Sequence, residues 1–282
     1  MQRASELTIV NKPLWVIIGL MIMASWVGNI WYYQAMQLEK PILLKHYMEI
    51  NGYQSDWIEL SYLENNTGDR RITGVLLEEL PMLRLTVPPQ PNTYYKHQVL
   101  KKAYGEWRKD DLGEMEPVPI TIREATVFYN DGPSEKVPIG EINVVWEKEE
   151  GLLQSSSSGS SSDGTGHYSV TVQQPVILEQ VDVSFSDRLG SSLELSMTGK
   201  DADDPHPQLP MSLNTGDPLT FNYKWSLPEE LPGASEVYKA SILLTFQTED
   251  GRTVHERIPL SFNHYLDEKQ IKELVRLGGD PS

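Results

Sequence analysis

Cysteine is absent from the 282 residues. The chain therefore has no disulfide framework, no thiolate metal site and no cysteine nucleophile, and any exported part of it must be held by apolar cores alone. Basic charge is also short, with 24 Lys+Arg against 40 Asp+Glu and a formal net charge of −16. General binding to nucleic acid needs a broad cationic surface that displaces counterions from phosphate, so no nucleic-acid partner is expected. The short catalytic patterns are missing too: there is no Gly-x-Ser-x-Gly elbow and no phosphate loop ending in Gly-Lys-Ser/Thr. His255-Glu256 opens a zinc-protease pattern, but Pro259 stands where the second histidine belongs. Gly164-Thr165-Gly166 lies in a serine-rich stretch, outside the strand-to-helix context that binds dinucleotides. No period of 20 to 50 residues recurs, which leaves solenoids and propellers unsupported.

Against these absences stands one long apolar run, Pro13 to Tyr33, with no charge between Lys12 and Glu39. At 1.5 Å per residue such a helix reaches about 30 Å, the hydrocarbon thickness of a bilayer. Trp15 sits near one end and Trp31, Tyr32 and Tyr33 at the other, where amphipathic rings favour the headgroup level. A buried core helix of this kind would need matching helices around it, and the flanks supply none. A cleaved signal peptide would need a small-x-small site, yet Ala24 is preceded at two residues by Ile22 and Gly28 by Trp26. The run reads as an uncleaved signal anchor. Gly19, Ala24, Ser25 and Gly28 are small residues within it, without a Gly-x-x-x-Gly pair.

Flanking positive charge is nearly balanced, Arg3 and Lys12 before the run and Lys40 and Lys45 after it. The acidic body is repelled by the anionic cytoplasmic leaflet, which favours an internal amino terminus and an extracytoplasmic carboxy-terminal part.

Beyond the run, short alternating segments dominate. In Trp57–Leu63, Ile58, Leu60 and Tyr62 form one apolar row, as in a half-buried strand, with turn residues after Asn65. Asn65-Asn66-Thr67 formally fits a glycosylation acceptor, a pattern common by chance. Residues 94–109 fit a helical stripe or a strand, and Gly105 together with neighbouring strands favours the strand. Asn130-Asp131-Gly132 and Glu249-Asp250-Gly251 mark hairpins. Asp267 as cap, Ile271, Leu274 and Val275 on one side and Gly278-Gly279 as stop predict a terminal helix. The serine- and glycine-rich stretch 151–166 cannot bury apolar surface and is expected to be a flexible linker or a loop.

The resulting fold class is an all-β ectodomain, β-sandwich-like and in two modules, behind one N-terminal transmembrane helix and with a short C-terminal helix. The boundaries are a cytoplasmic tail at 1–12, the transmembrane signal anchor at 13–33, a β-rich module at 34–150 and the linker at 151–166. A second β-sandwich-like module follows at 167–264, then the helix and tail at 265–282.

Candidate sites are few. The loop Lys200 to Pro207 gathers Asp201, Asp203, Asp204 and His206, oxygen ligands of the kind calcium takes, but without the EF-hand order and with two prolines that favour a plain turn. Lys96, Lys101, Lys102, Arg108 and Lys109 interleave with Tyr94, Tyr95, Tyr104 and Trp107, as a patch for anionic headgroups or a wall polymer would, or as a strand with rings inward and lysines in water. The pairs Glu78-Glu79, Asp110-Asp111 and Glu229-Glu230 are the raw material of a glycosidase, although adjacent acids usually sit in solvated turns. No catalytic, cofactor-binding or metal-binding residue is assigned.

The expected function is non-enzymatic. A single-pass protein of the cell membrane, seated in the lipid bilayer through residues 13–33, displays β-rich modules for binding or scaffolding in the cell envelope, with an envelope protein or a wall polymer as partner. The rival readings are a membrane-anchored carbohydrate hydrolase and a one-span regulator of envelope signals.

Overall fold

The computed structural model describes residues 12–53, 57–81, 83–88, 93–107, 118–148, 150–199, 208–228, 233–260, 262 and 266–278. Helix α1 (Lys12–Ala35) covers the apolar run. Its stretch from Leu14 to Ala35 is long and apolar enough to cross a membrane, and none of it is buried against the rest of the chain. Burial begins immediately afterwards at Met36 and Leu38.

The body is all β apart from short helical pieces. Its first half consists of β1 (Ile42–Leu43), β2 (His46–Asn51), β3 (Trp57–Asn65), β4 (Ile72–Leu76), β5 (Arg84–Thr86), β6 (Thr93–Tyr94), β7 (Gln98–Glu106), β8 (Ile120–Tyr129) and β9 (Ser134–Val145). In space these run β3-β7-β5-β4-β8-β9-β2, with β1 on β3 and β6 on β7. Met48 and Ile50 at one end of this order share a core with Ile58, Leu60 and Tyr62 at the other, so the sheet curls around one apolar centre. The Asn130-Asp131-Gly132 turn joins β8 to β9 as its residues require, with Gly132 at φ +103°.

The second half comprises β10 (Leu153–Ser160), β11 (Thr165–Val172), β12 (Val176–Val183), the single turn α2 (Ser186–Leu189), β13 (Leu193–Thr198), β14 (Met211–Leu213), β15 (Pro218–Trp225), β16 (Val237–Thr248) and β17 (Thr253–Leu260). It is a β-sandwich. One sheet is β10-β11-β15-β13, and the facing layer holds β14, β12, β16 and β17. Strand β15 gives the pattern in miniature, for Leu219, Phe221, Tyr223 and Trp225 are buried against Ile242, Leu244 and Phe246 of β16 while Asn222 and Lys224 face water.

The two halves share one sheet. Strand β2 pairs in parallel with β9 on one side, over His46 to Asn51, and with β16 on the other, Val237 opposite His46. Gly140 permits the first pairing, since a Cβ there would lie 2.4 Å from the His46 carbonyl oxygen.

Helix α3 (Glu268–Arg276) closes the chain. Asp267 accepts from the Gln270 backbone N–H at 2.7 Å, and the Gln270 side chain returns the bond to the Asp267 N–H at 2.8 Å. Its buried face, Ile271, Leu274 and Val275, packs with Leu38, Leu44, Leu63 and Leu266 in a third apolar cluster.

Two expectations are corrected. Strand β3 is not half-buried: Ser61, Leu63 and Glu64 are buried as well as Ile58, Leu60 and Tyr62, because the third cluster covers the face that alternation assigns to solvent. Residues 151–166 are not a flexible tether. They hold β10 and the start of β11, paired antiparallel from Leu153–Val172 to Ser160–Gly166. Backbone hydrogen bonds to β11 order an edge strand whose serine side chains stay exposed, and Leu152 in the core with half-buried Leu153 pins its start. The turn is set by Asp163, whose carboxylate accepts from the Thr165 N–H at 3.0 Å and hydroxyl at 2.6 Å, and by Gly164 at φ +85°.

Candidate functional site

The clearest built feature is the junction between α1 and the body. Tyr33 Oη lies 2.6 Å from Thr67 Oγ1 in the turn after β3. Tyr32 and Tyr33 present their rings edge-on to His97, at 6.1 and 5.6 Å between centroids. The Lys96 ammonium stands 5.7 Å above the Tyr32 ring. Where the helix ends, the Gln98 amide donates to the Met36 carbonyl at 2.5 Å, and Asn65 holds the Leu38 backbone from both sides, accepting from its N–H at 2.9 Å and donating to its carbonyl at 2.8 Å. Glu268 of α3 accepts from the Lys96 N–H at 2.9 Å, and Tyr95 donates to the Leu266 carbonyl at 2.8 Å. Buried backbone groups left open by the helix end are thus satisfied by the body itself. The same contacts occupy the amide of the formal glycosylation acceptor Asn65.

The basic and aromatic run resolves into these parts. Lys101 pairs with Glu64, which is buried, and Lys102 with Glu59 at 3.1 Å. Trp107 is buried and Tyr94 exposed. Only Lys96 of the run's described cations reaches the α1 junction. Arg108 and Lys109 lie outside the described residues.

Where the two halves meet, charge is buried in pairs. Arg257 is bonded to Glu147 by two bonds of 2.8 Å and to Glu49, with its side chain 13% exposed. Burial pushes the Glu49 carboxyl up from its ordinary range, against the pull of Arg257. Lys239 is held below the usual lysine value by burial, partly offset by Glu59 at 3.5 Å, and its ammonium sits 4.6 Å over the Trp57 ring. His46 is fully buried and accepts from the Ser61 N–H at 2.8 Å, closing the gap between β2 and β3. Desolvation lowers its pKa from 6.5 to about 3, aided by Lys239 and Lys102, so the imidazole is neutral. On the outer side of the same seam, Glu236 accepts from Arg188 and from Tyr238, each at 2.5 Å, and Arg188 covers the Tyr47 ring at 3.7 Å.

These networks join elements, and Glu49, Lys239 and Arg257 also line, with Trp57, a small cleft of about 160 Å³. No protein-family model and no curated protein matches the chain. Among solved structures it is similar to the fibronectin(III)-like modules of Clostridium thermocellum CbhA, with 10% identity, 82% of this chain and 99% of that one covered, and a TM-score of 0.20. It is also similar to the Enterococcus faecalis MSCRAMM ACE, said to bind its ligands by a collagen hug, with 7% identity, 79% and 93% covered, and a TM-score of 0.19. Superpositions this loose assign no residue a role. The sandwich rests on the chain's own pairings.

Two of the clefts among the described residues are wide and open. One, about 590 Å³, lies where the halves meet, with Tyr53 and Trp146 edge to face at 5.8 Å and Lys148, Arg252 and His255 around them. The other, about 730 Å³, covers a polar row across the four-stranded sheet, His167 opposite Asn222 and Asn222 opposite Ser196. Glu78 is engaged by Lys136 at 2.7 Å and Thr126 at 3.2 Å. The acidic loop Asp201, Asp203, Asp204, His206 and the pairs Asp110-Asp111 and Glu229-Glu230 lie outside the described residues, among which no group of three or more His, Asp or Glu is placed to hold a metal ion. Sequence reading missed His46 between β2 and β3, and Asn65 and Gln98 at the α1 junction. The available signal was Met36 and Leu38, apolar residues in a polar stretch just past the aromatic belt.

Proposed function

We propose that this chain is a single-pass membrane protein that holds its β body outside the cell as a binding or scaffolding part of the envelope. One observation carries the reading: α1 is apolar on every side, long enough to span and unburied, while the residues immediately after it lock into the body. A free apolar helix of this size is unfavourable in water and favourable in lipid. The near-buried and buried acids Glu49, Glu64 and Glu236 are each paired with a cation, Arg257, Lys101 and Arg188, which suits a rigid display body better than a reaction centre. The partner we infer is an envelope protein or a wall polymer. The cleft of Tyr53 and Trp146 offers rings for a sugar or an apolar side chain, with charge at its rim. The test is protease treatment of intact cells carrying a carboxy-terminal tag, followed by crosslinking in membranes. Loss of the tag and a reproducible crosslinked partner are expected. A shielded tag, or a product released by carbonate washing, overturns the reading.

A further inference from the structure

We propose that the turn after β3 and the tip between β6 and β7 form a seat for lipid headgroups, so that the body rests directly on the bilayer. The inference builds on the membrane reading above. From Leu14 to Tyr33 the helix rises about 30 Å, one hydrocarbon thickness, which places Tyr32 and Tyr33 at the interface when the run is inserted. Thr67 touches the hydroxyl of Tyr33, His97 meets both rings and Lys96 lies over Tyr32. Groups that contact the helix from the side at that level share its depth. They sit among headgroups and not beyond them.

The chemistry of the two turns agrees. Tyr94, 68% exposed beside the tip, adds a third interfacial ring to Tyr32 and Tyr33, exposed by 40% and 43%. With Arg70 paired to Asp131 at 3.2 Å, the remaining charge is balanced, Lys96 and Arg71 against Asp69 and Glu268, which matches a zwitterionic phosphocholine surface and needs no anionic lipid. The backbone between helix and body is fixed by Asn65 and Gln98, so no stalk lifts the body away.

The absence of cysteine makes the test direct. Single variants Lys96→Cys, Asp69→Cys, Met21→Cys and Ser156→Cys of the full chain carry an environment-sensitive fluorophore in phosphatidylcholine vesicles. One set of vesicles bears nitroxide on headgroups, the other on acyl chains. Labels at 69 and 96 are expected to be quenched several-fold more by headgroup nitroxide than the label on β10 at 156, with the label at 21 quenched from the acyl chains. If 69 and 96 behave like 156 while 21 is quenched, the seat is overturned and the membrane reading stands. If 21 is unquenched as well, both fall.

Discussion

The backbone N–H of Ser61 donates to Nε2 of His46 across 2.8 Å, and the imidazole that receives it is completely buried. The acceptor role requires a neutral ring with its proton on Nδ1.

Acid therefore acts on this contact first. With a folded pKa of about 3 against 6.5 when unfolded, His46 contributes its full stability above pH 6.5 and loses it as the pH falls from 6.5 towards 3. The slope expected from this group alone is up to about 1.4 kcal/mol per pH unit in that window. Urea midpoints measured from pH 7.5 to 3.5 check it: the wild type declines, and His46→Gln, which accepts but does not titrate there, declines less steeply. Equal slopes exclude the assignment.

At the seam between the halves, Arg257→Met leaves Glu49 buried with its cation gone. A loss on the order of 3 kcal/mol in unfolding free energy is expected, because breaking a buried pair strands the remaining charge. Adding Glu49→Leu should recover much of it. Thermal melts of both variants give the comparison, and a single variant as stable as wild type refutes it.

Ordered pairing of β10 with β11 changes what proteases meet. Limited digestion should leave 153–160 intact under conditions that cut a serine-glycine linker at once. Gly164→Ala tests the turn: a methyl there meets the Trp225 carbonyl oxygen at 2.6 Å at a φ of +85°, so destabilisation of roughly 1–3 kcal/mol is expected.

Insertion itself is read by Met23→Arg, near the middle of α1. A charge at mid-helix costs about 2.5–3.5 kcal/mol in insertion, so a larger soluble fraction after alkaline extraction is expected. An unchanged fraction argues that lipid is not what surrounds this helix.

The sequence made the local features legible and left hidden those that depend on distant residues. The Asn130-Asp131-Gly132 and Glu249-Asp250-Gly251 hairpins and the Asp267 cap follow from residues a few positions apart, and the structure holds all three. Composition misled at 151–166, since serine side chains say nothing of the backbone bonds that β11 supplies. Alternation also failed at Leu63, where α3, some two hundred residues later, covers the second face. The α1 junction was unreadable for the same reason: Asn65 and Gln98 are ordinary strand-end polar residues until Met36 and Leu38 are brought against them.

The parallel seating of β2 beside β16 has a mechanical consequence. Both strands set out from the same end of the body, β16 feeding the second core and β2 feeding both, through Met48 and Ile50 on one face and Tyr47 on the other. Loosening β2 therefore strips backbone partners from both halves at once, which leaves neither core a unit of its own.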